Sequence, residues 1–337
     1  MKRPFAFVAG TGHAVPKRVV SNSDLRAQGL DTDDAWIFSR TGIRQRHIAD
    51  AAETLTVLST TAAKLAMQRA NIQAGEIDVI VLATATPDHL LPATAVEVQA
   101  ALGATRAMAF DVSAACSGWV YGMQIAEGLI ATGMAETVLI IGAEILSSIV
   151  DWSDRNICVL FGDGAGATIL RHTRTIGKTS LGQERGILAS YARSDGTLKE
   201  LLWRPSGGVV DPVTIAVLDQ RTQCVHMEGR EVFKHAARSM ADASLRVLDL
   251  AKLTVADIDL MIPHQANVRI IEATAKLAGI PMEKVFLNVE NYGNTSASSI
   301  PIALDIAIKS GSVKEGMTIL MVSFGAGFTW GSLVVRF

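Results

Sequence analysis

Glu76-Ile77-Asp78-Val79-Ile80-Val81 and Asp257-Ile258-Asp259-Leu260-Met261-Ile262 carry the same acidic and apolar pattern, with Asp78 and Asp259 181 residues apart. Thr137-Val138-Leu139-Ile140-Ile141 and Thr318-Ile319-Leu320-Met321-Val322 match at the same step of 181. Apolar strands resemble one another by chance, but two matches at one offset favour a duplicated unit of roughly half the chain. The halves divide near residues 170–180, where Arg171-His172-Thr173-Arg174 interrupts the apolar pattern, which gives units of 1–175 and 176–337. No Pro-rich or low-complexity linker lies between them, so the halves are expected to pack tightly.

Outward from these stretches, compact apolar runs recur at 77–83, 107–112, 137–141, 157–161, 258–262, 318–323 and 332–337. Most are short and β-branched, as in strands buried on both faces. Longer helical patterns at 59–70, 118–132 and 232–251 lie between them. Strands alternating with helices predict an α/β layered fold.

The 337 residues fit about two domains. Hydrophobic residues make up 49% and charged residues 19%, the reverse of a disordered chain. With 31 basic and 33 acidic residues, net −2, no global basic field exists to hold nucleic acid. Three cysteines and no CxxC pair suit neither a disulfide framework nor a zinc site, and a reducing, cytoplasmic setting is the simplest reading. The apolar run within residues 1–10 is short for a signal peptide and reads as a first strand. No stretch approaches the ~18–20 apolar residues of a membrane span.

Phe110-Asp111-Val112-Ser113-Ala114-Ala115-Cys116-Ser117-Gly118-Trp119 runs from an apolar strand, through small residues, into a helical pattern. Cys116 would stand near a helix N-terminus, where unpaired N–H groups favour an anion and can lower a thiol's pKa. A buried structural cysteine fits the same position equally well. Cys158 lies in an apolar run read as a strand and Cys224 in Gln223-Cys224-Val225-His226; both read as packing residues.

His264, in Pro263-His264-Gln265-Ala266-Asn267, follows an apolar strand directly, at the end where α/β ligand sites gather. Asn294, in Tyr292-Gly293-Asn294-Thr295-Ser296, also follows an apolar run. Taken singly, each reads as an ordinary loop or turn residue. Together with an exposed Cys they form a nucleophile, a proton-exchanging group and a neutral donor. The remaining histidines show no metal-ligand spacing, so no metal site is expected. Phe161-Gly162-Asp163-Gly164-Ala165-Gly166-Ala167 is neither GxGxxG nor a P-loop, and reads as close backbone packing.

With these residues in place, the chain resembles the β-ketoacyl-acyl-carrier-protein synthase III family of the thiolase superfamily, nearly end to end. The marks are Trp36-Ile37-Phe38-Ser39-Arg40-Thr41-Gly42-Ile43-Arg44, the Cys116 segment, Phe161 to Ala167, Pro263 to Asn267, Gly293-Asn294-Thr295-Ser296 and Phe324-Gly325-Ala326-Gly327-Phe328-Thr329-Trp330-Gly331. The resemblance implies duplicated βαβαβαββ halves stacked in five α-β-α-β-α layers, an N-terminal half carrying the nucleophile and a C-terminal half carrying His and Asn. The Cys-His-Asn set resembles class III rather than the Cys-His-His of elongating synthases, and Trp36 with Arg40 favours class III over plant-type enzymes.

The same resemblance implies two half-reactions without metal or redox cofactor. Cys116 would take an acyl group from acyl-CoA. The backbone N–H groups of Cys116 and Ala326 would hold the oxyanion. Malonyl-acyl-carrier protein would then lose CO2, with His264 and Asn294 stabilising the enolate, and the carbanion would attack the acyl-cysteine. Ala326 stands where the family often has Gly, which suits a backbone role if its φ is negative. Thr32, Trp36, Arg40, Arg155, Phe233, Ala266 and Asn267 resemble the CoA-binding set, and Lys234, Arg269 and Lys276 the carrier-protein docking set. Leu277 replaces a second Lys common in the family, which weakens that patch; Arg230 and Arg238 are candidates to compensate. Leu91 and Phe324 resemble acyl-pocket residues, Leu91 reaching across a homodimer interface. Leu91 stands where Phe is frequent, which predicts room for acyl groups larger than acetyl.

Three other readings stay open at this level. A class III-like enzyme of secondary metabolism would use the same residues with another starter. A papain-like cysteine hydrolase shares the order Cys116, His264, Asn294, but its CG[SA]C[WY] segment is missing. A non-catalytic carrier-binding homologue would have little reason to keep all three polar residues.

Overall fold

Asp78 and Asp259, the residues that mark the repeat, do the same work in each half. The Asp78 carboxylate accepts from the backbone N–H of Glu136 (2.8 Å) and Thr137 (3.0 Å), and the Asp259 carboxylate accepts from Thr318 N–H (2.7 Å). Each aspartate therefore fixes where the neighbouring strand starts. The computed structural model describes residues 4–174, 178–180 and 182–337. The boundary expected between 175 and 176, like residues 1–3, lies outside the described residues.

Val79–Ala83 pairs in parallel with Met108–Val112 and with Thr137–Glu144; Leu260–Pro263 pairs in parallel with Thr318–Gly325. The register repeats along with the sequence: Val79 faces Val138, and Leu260 faces Ile319. The first sheet runs Ala6–Ala14, Gly164–His172, Thr137–Glu144, Val79–Ala83, Met108–Val112, and the second Leu260–Pro263, Thr318–Gly325, Thr329–Arg336, Gly186–Ser194. Among the described residues the second sheet has no full counterpart of Met108–Val112; Val285 makes one bridge to Met261. There the N–H groups of Asn288 and Val289 donate to Gln265 Oε1, and the chain turns into the short helix Val289–Tyr292.

Helices Gly118–Ala131 and Ser299–Lys309 fill the layer between the sheets. Leu55–Ala70 and Thr94–Leu102 cover the outer face of the first sheet, Gly229–Ala251 and Val268–Ala278 that of the second. The result is the five-layered α-β-α-β-α thiolase-like fold. The middle layer is apolar: Trp119, Val120, Ile300 and Leu304 are buried with the inner faces of both sheets. Truncating a buried side chain as large as Trp119 to alanine would cost about 3–5 kcal/mol. Asp305, on the middle helix of the second half, is locked to the first half by Thr11 (2.7 Å), His13 (2.5 Å) and Arg69. Burial raises the pKa of this carboxyl, but the three partners outweigh it and hold it below the usual range.

The middle layer also repeats at the offset. The single-turn helices Ala115–Ser117 and Ser296–Ser298 each lead into a middle helix. Ala115 (φ 45°) and Ser296 (φ 51°) both occupy the left-handed region. Close approach makes room for these turns: a Cβ on Gly142 would lie 2.2 Å from Ala297 O, and one on Gly325 2.6 Å from Cys116 N.

One expected strand does not form. Residues 157–160 are turns, and Phe161 makes a single bridge to Asn294. The fully buried Arg46 guanidinium donates to Val159 O (2.7 Å) and Val20 O (3.1 Å), so this segment gives its carbonyl to a side chain rather than to a strand. Its apolar residues instead join a small core with Ile37, Ile43 and Val289.

Candidate active site

The left-handed Ala115 bends the chain so that Cys116 comes to the floor of a cavity of about 1040 Å³. Cys116, His264 and Asn294 all border this cavity. The thiol keeps some accessible surface because it faces the cavity, yet protein surrounds the sulfur. Enclosure pushes its pKa up to about 12; the Ser296 hydroxyl pulls the other way, and the Glu144 carboxyl pushes further up. Enclosure thus works against the lowering expected of a thiol near a helix N-terminus. Loss of water disfavours the charged thiolate.

His264 follows Leu260–Pro263 and is 4% exposed. Its Nδ1 lies 2.6 Å from Ser299 Oγ, and Gln265 N–H donates to that same oxygen at 3.4 Å. When the Ser299 hydroxyl donates to Nδ1, the proton of the neutral ring sits on Nε2. Burial holds the imidazole pKa down at about 4. At neutral pH His264 is a neutral hydrogen-bond donor rather than a cation.

Asn294 is fixed at three points. Its N–H donates to Leu160 O (2.8 Å), its C=O accepts from Gly162 N–H (3.0 Å), and its Oδ1 accepts from Ser296 N–H (2.9 Å). The side-chain NH2 is what remains for the cavity. A Cβ on Gly162 would lie 2.5 Å from Tyr292 O, so the Gly-rich segment serves close backbone packing here.

The backbone at Gly325 presses against the Cys116 amide, with Ala326 next in the cavity wall. Ala326 is absent from the positive-φ residues, which meets the condition set for alanine there. Phe324 is buried in the same wall. Of the CoA-like set, Trp36, Arg40, Phe233, Ala266 and Asn267 line the cavity; Thr32 and Arg155 do not. The guanidinium carbons of Arg40 and Arg155 lie 4.5 and 5.1 Å from the Trp36 ring centroid. Arg155 also pairs with Asp31 (2.9 Å), and Asn267 caps Val268–Ala278 through Arg269 N–H (2.8 Å). Thr32 Oγ1 is enclosed without a partner.

Of the basic docking candidates, Lys234 pairs with Glu231 (2.6 Å) and Arg269 donates to Ser39 O (2.7 Å). Lys276 is exposed in the last turn of its helix. Leu91 lies outside this chain's cavity and is 89% exposed. Cys158 is buried in a small apolar core, and Cys224 is buried beside Asp151, Arg221 and Arg204. Among the described residues no group of three His, Cys, Asp or Glu is placed for a metal ion, and no helix is long and apolar enough to cross a membrane. Sequence reasoning missed Glu144, Ser296 and Ser299. The one available signal was a carboxylate ending the otherwise uncharged run Thr137 to Ala143.

Residues 110–196 match the family model described as 3-Oxoacyl-[acyl-carrier-protein (ACP)] synthase III, and residues 248–337 match that of its C terminal. A β-ketoacyl-[acyl-carrier-protein] synthase III of Roseiflexus castenholzii is 47% identical over 332 residues, 98% of each chain. One of Caldanaerobacter subterraneus is 47% identical over 331 residues, 98% of this chain and 97% of the relative. The crystal structure of a 3-oxoacyl-[acyl-carrier-protein] synthase III from Aquifex aeolicus superposes with a TM-score of 0.89 at 47% identity, covering 98% of this chain and 100% of that one.

Proposed function

The chain belongs to the β-ketoacyl-acyl-carrier-protein synthase III family, and from that membership we propose how its residues divide the reaction. It is an acyltransferase, a condensing enzyme that initiates fatty-acid synthesis. Its acyl donor is an acyl-CoA and its acceptor malonyl-acyl-carrier protein. The Cys116 sulfur attacks the thioester carbonyl, the C–S bond to CoA breaks, and the acyl group stays on Cys116. The N–H groups of Cys116 and Ala326 bind the oxygen that becomes negative.

In the second half-reaction His264 Nε2–H and the Asn294 NH2 group donate to the malonyl thioester carbonyl. Loss of CO2 leaves an enolate there, and two neutral donors suit a developing negative charge. The carbanion attacks the acyl-cysteine, the C–S bond to Cys116 breaks, and the β-ketoacyl chain leaves on the carrier. These steps are closed on thioester exchange and decarboxylation and draw on no metal or redox group. Trp36 with the guanidinium of Arg40 offers a flat cationic stack for adenine, with Arg155 behind it and Phe233, Ala266 and Asn267 completing the CoA path. Lys234, Arg269 and Lys276 receive the acidic carrier.

Residues 1–175 form the half that supplies the thiol, and 176–337 the half that supplies His264 and Asn294. The unit is a homodimer in the reducing cytoplasm, a setting that suits three free cysteines. An unpaired edge at Met108–Val112 and the exposed Leu90 and Leu91 support a second copy there, with Leu91 entering the partner's acyl pocket. The observation that carries the reading is the meeting of a thiol, a neutral imidazole donor and an amide donor on one cavity. The test is intact-protein mass spectrometry after mixing with acetyl-, octanoyl- and benzoyl-CoA. Wild type gains an acyl mass that malonyl-acyl-carrier protein discharges with CO2 release, and Cys116→Ala gains none. An adduct that survives Cys116→Ala refutes the assignment.

A further inference from the structure

Resting on the nucleophile assignment above, one problem remains: what takes the proton from a thiol whose pKa is held at about 12. His264, held down at about 4, is a poor base for it. Glu144 ends the fully buried strand Thr137–Glu144 and is itself 0% exposed. Burial pushes its carboxyl up to about 7 against the pull of its hydrogen bonds.

The groups around Glu144 are all arranged as donors. The Thr86 hydroxyl (2.6 Å), the Ala85 N–H (3.1 Å) and the Thr84 hydroxyl (3.2 Å) reach Oε2, and the Ser296 hydroxyl reaches Oε1 at 3.1 Å. The same two hydroxyl oxygens accept in turn, Thr84 Oγ1 from Thr86 N–H (3.0 Å) and Thr86 Oγ1 from Ile145 N–H (2.9 Å). Gly164, the strand neighbour paired with Glu144, has no side chain. The Glu144 carboxyl in turn acts on the Cys116 thiol, which also has the Ser296 hydroxyl within hydrogen-bond reach.

We propose that Glu144 is a positioning residue of the acyl-transfer step, receiving the Cys116 thiol proton through the Ser296 hydroxyl. As sulfur forms its bond to the thioester carbon, the S–H proton moves to Ser296 Oγ and the Ser296 hydrogen moves to Glu144 Oε1. One negative charge passes from carboxylate to sulfur and on to the oxyanion, so the buried site never carries two. When the tetrahedral intermediate collapses, the proton returns through Ser296 to the departing CoA sulfur. A base that stays behind Ser296 in the protein wall leaves the cavity itself to substrate.

The test is single-turnover acetylation by acetyl-CoA, read by rapid quench and intact mass from pH 5.5 to 9.5, values chosen to span about two pH units around Glu144. Wild type rises through pH of about 7 and levels off. Glu144→Gln and Ser296→Ala each lose at least about 100-fold at pH 7.5 and lose the inflection, and the double variant loses no more than either. Alanine is tolerable at Ser296, because Ala115 already adopts the matching turn. If Glu144→Gln does not fold, Ser296→Ala with the wild-type profile decides alone. A wild-type inflection retained in a folded variant, or losses that multiply in the double variant, would overturn the relay while leaving Cys116 in place. No acetylation of the wild type at any pH would remove the nucleophile and the relay together.

Discussion

Gly325→Ala tests whether the backbone around Cys116 is as tight as described. The added Cβ would lie 2.6 Å from Cys116 N and 3.2 Å from both Cys116 Cα and Cβ, against 3.4 Å for ordinary contact. Neither atom set is the loose end of a side chain. The Cys116 turn or the end of Thr318–Gly325 must therefore shift by about 0.8 Å to restore that spacing. A misplacement of ~1 Å near the chemistry costs roughly 100-fold in rate, so a loss of about 30- to 100-fold in acetyl loading is expected. Overpacking should also remove about 1–3 kcal/mol of stability. The assay is the acetylation rate beside a urea unfolding curve. Gly75→Ala is the control, because nothing lies within 4 Å of a Cβ there and its φ is ordinary. Loading by Gly325→Ala within about twofold of wild type would refute the close packing and the oxyanion role drawn from it.

Ser299→Ala should free His264 to exchange tautomers, slowing malonyl decarboxylation about tenfold, the worth of one hydrogen bond, with acetyl loading within about twofold; equal losses in both steps would count against the Nε2–H assignment. Trp36→Ala should raise the KM for acetyl-CoA about tenfold at nearly constant kcat, and an unchanged KM would remove Trp36 from the CoA site. Glu144 and His264 should make opposite contributions to stability. Glu144 moves from 4.5 to about 7, so its contribution is full below pH 4.5 and lost as pH rises through 7; His264 moves from 6.5 to about 4, so its contribution is full above pH 6.5 and lost as pH falls through 4. Each is worth about 3 kcal/mol. Relative to wild type, Glu144→Gln should therefore gain stability from pH 4.5 to 7 and His264→Gln should lose it from pH 4 to 6.5, and flat difference curves from urea midpoints would contradict both.

The duplication could be read from the chain because it rests on local, repeated causes. Asp78 and Asp259 recur where a strand start needs an acceptor, and the apolar strands beside them keep their register. Cys116 stood out because small residues between a strand and a helix are needed for a sharp turn. The run ending at Phe161 misled for the opposite reason: β-branched residues in buried turns look like a strand until Arg46, over 100 residues earlier, claims the Val159 carbonyl. The thiol's titration was unreadable because some of its surroundings, Ser296 and Gly325, come from the other half. Ser299 was invisible for a related reason. Nothing in a Thr-Ser-Ala-Ser-Ser run says which hydroxyl meets an imidazole 35 positions away.

The glycine contacts in the middle layer also decide where this molecule can move. At Gly142 and Gly325 main chain meets main chain, without a side chain between to yield by changing rotamer. A hinge opening between the halves would separate those surfaces and the Asp305 lock together. Substrate traffic must then be served by the outer wall. That wall includes Trp203 and Arg204, and just beyond them Val209 and Val210 stand 98% and 99% exposed. Hydrogen exchange should be slowest along Thr137–Glu144 and Thr318–Gly325 and fastest across the exposed residues 208–213, making the enzyme a rigid block with a yielding rim.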